Sequence, residues 1–180
     1  MTKFYLSDLK DGGFYIKPNF LNNKDFNYVK KNITKLKYKE TYQPENTFYG
    51  NRYQAYPCYE AEDKTFYSIF LKALTKAFDR EPKKLFVVVR KILTSELLKS
   101  KTNTKYGLTH KDAHGYAGVF CFDQTVDGGT AFFENSWDKY PDIQIGAYPN
   151  RLVVYNGNRH HAAMHDFTFD TRYVIVLFFD

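Results

Sequence analysis

A chain of 180 residues with 43% hydrophobic and 19% aromatic positions is long enough to bury one core, too short for two, and too apolar to be disordered beyond its ends. Lys and Arg outnumber Asp and Glu by 26 to 20, a formal charge of +6, but the excess is spread through Lys-rich stretches with no Arg cluster and no nucleic-acid motif, so it reads as a solvated basic face in preference to a nucleic-acid surface. No apolar run approaches the length of a membrane span, and the opening "MTKFYLSDLKDGG" has no apolar signal core; the expectation is a soluble, cytoplasmic protein.

In chain order, "GGFYIK" predicts a short strand and Pro18-Asn19 a turn. "NFLNNKDFNYVKKNITKL" predicts a helix capped at Asn22 or Asn23, with Phe26, Val29, Ile33 and Leu36 on one face. An aromatic stretch without helical periodicity follows, "TFYGNRYQAYPCYE", carrying Asn51 and Arg52; it is expected to line the substrate entrance or to cover an end of the β core. A second helix is predicted from Phe66, Ile69, Phe70, Ala73, Leu74 and Ala77, with Asp63 as its cap and Pro82 beyond its end. Each helix offers one apolar face, and a sheet is the natural partner.

Near residue 83 the chain changes character. "KLFVVVRKIL", "YAGVFCFDQ", "TAFFENS", "NRLVVYN" and "TRYVIVLFFD" are β-branched and aromatic runs separated by turn residues, the pattern of an antiparallel sandwich or barrel and here of a jelly-roll-like core. Asp127-Gly128-Gly129 is expected to turn its flanking strands into a hairpin. The fold class is therefore α+β in one domain, 1–180, where 1–82 give helix-bearing support and 83–180 form the β core. Cys58 and Cys121 stand apart without a CxxC pair, which excludes a zinc ribbon and a disulfide framework; Cys121 lies in a strand as a small core residue.

All five histidines fall in the strand-rich part: His110, His114, His160, His161 and His165. On an extended segment His110 and Asp112 point to the same side, roughly 6 to 7 Å apart, so an imidazole and a carboxylate can converge on one ion. Two histidines and one carboxylate on one face of an octahedral metal leave three positions open, the arrangement of non-haem Fe(II) oxygenases. The third ligand must come from a distance. A strand through Tyr155 that turns at Asn156-Gly157-Asn158 returns with His161, Ala163 and His165 on one side and His160, Ala162 and Met164 on the other, and parity does not choose between these faces. Arg172 opens the last apolar run, where a guanidinium needs a partner and can grip a carboxylate in a fork.

Taken in order, His110-x-Asp112, Gly-Gly-Thr at 128 to 130, "NRLVVYN" leading to a histidine, and an arginine on the final hydrophobic strand resemble the 2-oxoglutarate/Fe(II)-dependent dioxygenases, in particular their prolyl-4-hydroxylase-like branch. "YIKPNFLNNKDFNYVKKNI" is similar to that branch's first strand and helix. The resemblance covers residues 105–180 in detail and implies a double-stranded β-helix (jelly-roll, cupin-like) core with N-terminal helices packed on one sheet. It implies His110 and Asp112 as the first two iron ligands and His161, six residues after Tyr155, as the third, with the adjacent His160 as rival. Arg172, eleven residues past His161, matches the residue that holds the distal carboxylate of 2-oxoglutarate. Tyr106, sharing strand parity with His110, is either a second contact to 2-oxoglutarate or a packed aromatic.

The implied activity is hydroxylation of a C–H bond, most readily of a prolyl or other amino-acid residue, free or in a peptide. Fe(II), 2-oxoglutarate and O2 are consumed or required, ascorbate is an auxiliary reductant, and succinate and CO2 are released. The expected partner is a small-molecule or peptide substrate. A nucleic-acid demethylase of the same superfamily is the rival, but there a second arginine commonly lies six residues after the first, and that position is Phe178. A cupin-like metal-binding protein without oxygenase activity is a further alternative, with no use for Arg172. His114, His160 and His165 are expected as polar residues near the cavity mouth or surface, Thr130 as a hairpin stabiliser, and Trp137 as part of a loop over the substrate.

Overall fold

The computed structural model describes residues 3–10, 12–41, 58–99, 105–107, 109–123 and 125–180. Asn51, Arg52 and most of the aromatic stretch around them lie outside the described residues. The helical periodicity of the first half becomes two capped helices. At α1 (Asn23–Asn32) the Asn22 side chain accepts from the Asp25 backbone N–H at 3.0 Å, and at α2 (Lys64–Ala77) Asp63 accepts from those of Thr65 and Phe66 at 2.9 Å.

Among the described residues ten strands follow one another: β1 (Phe14–Lys17), β2 (Lys39–Thr41), β3 (Cys58–Ala61), β4 (Phe86–Leu93), β5 (Tyr116–Cys121), β6 (Thr125–Phe132), β7 (Ile143–Ala147), β8 (Arg151–Asn156), β9 (His161–Met164) and β10 (Thr171–Phe179). Seven form an antiparallel sheet in the order β1-β8-β5-β10-β4-β3-β2, and three form a smaller one, β7-β6-β9. Isolated bridges from Tyr106 to Met164 and from His110 to His161 add a further segment beside β9. This is the double-stranded β-helix of an α+β protein. Among the described residues no helix is long and apolar enough to cross a membrane.

Side-chain alternation decides what each sheet face sees. Ile175, Leu177 and Phe179 of β10 pack with Val87, Val89, Phe120, Leu152 and Val154 against Val29, Ile33, Phe66, Phe70 and Leu74 from the helical part. The helices thus cover one face of the large sheet. The intervening residues Arg172, Val174, Val176 and Phe178 point to the other face. There Ala117, Val153 and Tyr155 meet Phe132 of β6, reaching across from the small sheet. Phe132 and His161 are register partners, so His161 also faces this interior.

Two expectations are corrected here. Asp127-Gly128-Gly129 is no hairpin turn: it runs within β6, which pairs with β7 and β9 and not with β5. The glycines instead serve a bulge, with the register shifting between Thr125 and Gly129. Gly129 has φ 131°, and a Cβ there would stand 2.1 Å from the Ile145 carbonyl oxygen, so no other residue fits. The first half is also more than support, since β1, β2 and β3 are hydrogen-bonded into the large sheet. A short helix, α3 (Thr94–Lys99), follows β4 without a periodicity that announces it.

Asn150, at φ 56° in the β7–β8 turn, ties the helical layer to the sheet. Its Oδ1 accepts from the Leu21 backbone N–H at 2.9 Å and its Nδ2 donates to the Leu21 carbonyl at 2.8 Å, both buried. Asn150→Ala is expected to cost about 2 to 4 kcal/mol for two buried hydrogen bonds and a strained φ. Asn150→Gly, which relieves the backbone, should cost less. Urea unfolding of both variants checks the ranking.

Candidate metal centre

The two halves of the site are far apart in sequence and are stitched together by backbone. His110 and His161 exchange both backbone hydrogen bonds at 2.9 Å, the Asp112 N–H donates to the Gly157 carbonyl at 2.9 Å, and the Gly157 N–H donates to the Gly115 carbonyl at 3.1 Å. A Cβ on Gly157 would lie 2.2 Å from the His114 carbonyl oxygen. The β8–β9 connection can press this closely on the His-x-Asp segment only because that residue is glycine.

The result is a cluster of three donors. His161 Nε2 lies 3.3 Å from Asp112 Oδ2 and His110 Nε2 lies 3.6 Å from Asp112 Oδ1. The three ligating atoms all fall within 4.8 Å of one another. Ligands at about 2.0 to 2.2 Å from one ion stand roughly 3 Å apart when adjacent on an octahedron, so a modest contraction closes this set on a metal. His161 is 4% exposed. Its Nδ1–H donates to the Arg159 carbonyl at 2.9 Å, which a carbonyl can only accept, and this leaves the Nε2 lone pair facing Asp112.

The electrostatics suit a cation. Burial, helped by the charge of His110, pushes the His161 imidazole down to about 3, so it stays neutral as a ligand must. Burial raises the Asp112 carboxyl, opposed by His110 and Arg90. Asp112 Oδ2 is buried without a hydrogen-bond partner, an orphaned acceptor aimed into the cluster that a metal would satisfy. Two imidazoles and a carboxylate fit a divalent first-row ion with open positions and not a closed four-ligand zinc site.

Arg172 lies on the same interior wall. It is 6% exposed, its Nη1 donates to the Met164 carbonyl at 2.8 Å, and its charge opposes the rise that burial causes in the Cys121 thiol. Among the described residues no carboxylate stands within 4.0 Å of it. Asp123 feels its charge, which offsets part of the rise that burial causes in that carboxyl.

Tyr106 is placed differently from the expectation of shared parity. From Tyr106↔Met164 to His110↔His161, four steps on one segment face three on β9. That extra residue flips the face. Tyr106 therefore packs on Ala131, Phe133, Ala162 and Met164, with its ring edge-on to Phe133 at 5.8 Å, behind the small sheet and away from Asp112. The packed-aromatic alternative describes its surroundings.

The other histidines separate from the cluster. The His160 Nδ1–H donates to the Glu134 carbonyl at 3.0 Å, and His114 lies between the Phe86 and Phe178 rings. His165 is 3% exposed, a correction to its surface placement, and stacks edge-on to Phe167. Thr130 is buried on the interior face opposite Ala163. Trp137 is 73% exposed between β6 and β7. Sequence reasoning missed two neighbours of the site. Tyr155 served only as a counting mark, yet its ring stands 4.8 Å from that of His161. Arg90 was absorbed into a strand pattern, although alternation between Val89 and Lys91 turns it inward.

The architecture can be set beside known structures. A 2OG-Fe(II) oxygenase-family oxidoreductase from Burkholderia pseudomallei superposes with TM-score 0.64 at 11% identity, covering 100% of this chain and 96% of its own. The chain has the 2-oxoglutarate/Fe(II) oxygenase fold. A prolyl hydroxylase from Trichoplax adhaerens, solved with a hypoxia inducible factor oxygen degradation domain peptide, gives 0.63 at 12% identity over 96% of this chain and 86% of its own. The non-heme alpha-ketoglutarate-dependent carbocyclase SnoK of nogalamycin biosynthesis gives 0.63 at 12% identity over 93% and 79%. No family model matches the sequence, and no curated protein matches it. Since this oxygenase fold carries prolyl hydroxylation in one neighbour and ring closure in another, the substrate has to be argued from this chain's own residues.

Two measurements follow from the triad. Alanine at His110, Asp112 or His161 is expected to weaken Fe(II) binding by at least about a hundredfold, the upper end of what loss of a mere supporting contact costs, while His160→Ala should leave it within about threefold; anaerobic Fe(II) titration distinguishes them. In metal-free protein the depressed His161 means that between pH 6.5 and about 3 the unfolded chain binds a proton which the folded chain refuses, so stability falls on acidification through that window. The melting temperature of His161→Leu should fall less steeply than that of the wild type over the same range.

Proposed function

We propose that this chain is an Fe(II)- and 2-oxoglutarate-dependent oxygenase that hydroxylates a C–H bond of a prolyl or other amino-acid residue, free or in a peptide. The observation that carries the proposal is the pairing of the His110, Asp112, His161 cluster with a buried arginine on the same interior wall. His110, Asp112 and His161 would hold the iron as a two-histidine, one-carboxylate set with open positions. When bound, Fe(II) would supply the activation of dioxygen that couples oxidation of 2-oxoglutarate to succinate and CO2 with hydroxylation of the substrate.

The protein's own residues bind and orient. Arg172 would take the far carboxylate of 2-oxoglutarate, the anion its buried charge calls for, in a bidentate fork. The Arg159 carbonyl fixes the ring of His161, and Val119, Val153, Val174 and Val176 on the interior face keep water from the reacting centre. The demethylase alternative is weakened by Phe178, which faces the interior beside His114 where that reading wants a second arginine. Cytoplasmic placement and use of ascorbate belong to the same proposal.

The test is Fe(II)-dependent conversion of 2-oxoglutarate to succinate, with free proline and prolyl peptides as the first substrates. Arg172→Ala is expected to raise the half-saturating 2-oxoglutarate concentration about 10- to 100-fold, the worth of a charge-assisted carboxylate pair, with Arg172→Lys between the two. Metal binding without any affinity for 2-oxoglutarate would leave only the cupin-like alternative.

A further inference from the structure

The connection from β8 to β9 carries a side chain that touches both sheets. Arg159 closes the turn that leaves β8, where its backbone N–H donates to the Asn156 carbonyl at 3.0 Å, and its own carbonyl accepts from His161 Nδ1–H at 2.9 Å. Its guanidinium lies 4.7 Å from the ring centroid of Phe14 on β1 and 5.6 Å from that of Phe132 on β6. Phe14 is the register partner of Tyr155 and Phe132 that of His161, so the arginine is seated on the partners of the two residues that bracket its turn. Beyond the rings, Nη1 donates to the Gly12 carbonyl at 2.7 Å. One side chain thus fastens the connection to the edge of the large sheet, to the small sheet and to the segment that leads into β1.

The residue types suit this use. A planar guanidinium lies against aromatic faces while its N–H groups reach a carbonyl, a combination that an ammonium on a flexible stem matches poorly. Phe14 and Phe132 meet edge-on at 4.7 Å and so offer a fixed seat. Gly12 has φ 85°, and a Cβ there would stand 3.1 Å from Nη1; the segment is shaped to admit the guanidinium. The seat is also near the metal ligands, because the Phe132 ring stands 6.3 Å from that of His161. By charge alone a cation so placed works against the binding of another, and its presence calls for a compensating role.

That role follows from the carbonyl. A neutral imidazole carries its proton on either nitrogen, and a metal takes the one that is bare. The direction of the Arg159 carbonyl decides which nitrogen of His161 holds the proton, and that carbonyl belongs to the residue whose side chain is clamped. We infer that Arg159 is a positioning residue: its side chain, held by Gly12, Phe14 and Phe132, fixes the carbonyl that keeps the His161 proton on Nδ1 and presents a bare Nε2 beside Asp112. This rests on the reading of His161 as a metal ligand and adds to it that the segment at Gly12 helps set the affinity of the centre.

The test reads the full chain twice, first without metal and then with Fe(II) alone under anaerobic conditions. Long-range proton–nitrogen correlation spectra of nitrogen-labelled protein at neutral pH distinguish the two tautomers, and His161→Leu identifies the signals of that ring. For wild type the Nδ1–H form alone is expected. Arg159→Ala should show a mixture of tautomers and bind Fe(II) about tenfold more weakly, the lower end of what a lost supporting contact costs a metal site. Arg159→Lys, which keeps a cation over the rings, should fall between the two. Gly12→Ala, which leaves Arg159 in the chain but crowds Nη1, should move both readouts in the same direction. Asn150→Gly, which loosens the fold at the opposite end of β8, should lower the melting temperature and leave both unchanged.

A single Nδ1–H tautomer with undiminished Fe(II) affinity in Arg159→Ala would overturn the inference, as would a tautomer mixture that leaves the affinity at its wild-type value. Tighter Fe(II) binding would overturn it too, by showing that only the charge of Arg159 acts on the centre. The same two changes in Asn150→Gly would overturn it by making Arg159 one of many contacts that stiffen the fold. If Arg159→Ala does not fold, Arg159→Lys and Gly12→Ala decide the matter by the same readouts. Should wild type bind no Fe(II), the metal reading itself fails and the affinity claim with it; the tautomer spectra, taken before any metal is added, keep that failure apart from a failure of Arg159 to hold the ring.

Discussion

The site depends on one backbone contact, the reciprocal pair of hydrogen bonds between His110 and His161. Fifty residues of chain separate the His-x-Asp segment from His161, and no attraction among two imidazoles and a carboxylate would by itself hold them together. Backbone pairing does so at no cost in specificity, because each bond satisfies a polar group that must otherwise be left buried. The same seam explains Gly157, whose missing Cβ lets the β8–β9 connection touch the chain at His114. It also explains the orphaned oxygen of Asp112: with the backbone already paired, the side chains are released to point at each other.

Around that seam the molecule is organised by alternation. One face of the large sheet meets α1 and α2 through an apolar cluster that includes Phe66, Phe70, Phe120 and Ile175. Since every second residue of β10 is committed to that cluster, the others must face the small sheet, and two of the interior positions on β10 and β4 are arginines. A guanidinium inside a jelly roll has to be met by an anion, a carbonyl or water. Arg172 finds the Met164 carbonyl and Arg90 finds Glu60. The interior is therefore a cation-lined space beside a cluster that itself wants a cation, a combination suited to anionic ligands that bridge the two.

Legibility followed the range of the interactions. Helices α1 and α2 were readable with their caps, because a 3.6-residue period and an Asn or Asp at the start are local signals. The strands of the second half were readable for the same reason, and the meeting of His110, Asp112 and His161 through their order along the chain. What local patterns could not give was pairing. The Asp127-Gly128-Gly129 run carries the composition of a turn and serves as a bulge, because β6 finds its partners in β7 and β9. Tyr106 shares the parity of His110 along the chain, yet one extra residue of register puts it on the reverse of the sheet as a packed aromatic. Arg90 looked like an ordinary strand charge until Glu60 and Val174 appeared beside it.

The amino-acid sequence by itself determined the element types, the apolar faces and the supply of ligands: which residues can cap, alternate, coordinate or pair with a carboxylate is a property of short segments. Tertiary structure decided which of those residues meet. It placed His161 and not His160 beside His110 and Asp112, since only one of two adjacent residues on a strand can face the interior, and it set Arg90 and Arg172 on the same wall. The reason is physical: contact across a sheet is fixed by register, and register is set by the summed packing of two layers, which no stretch of chain contains alone.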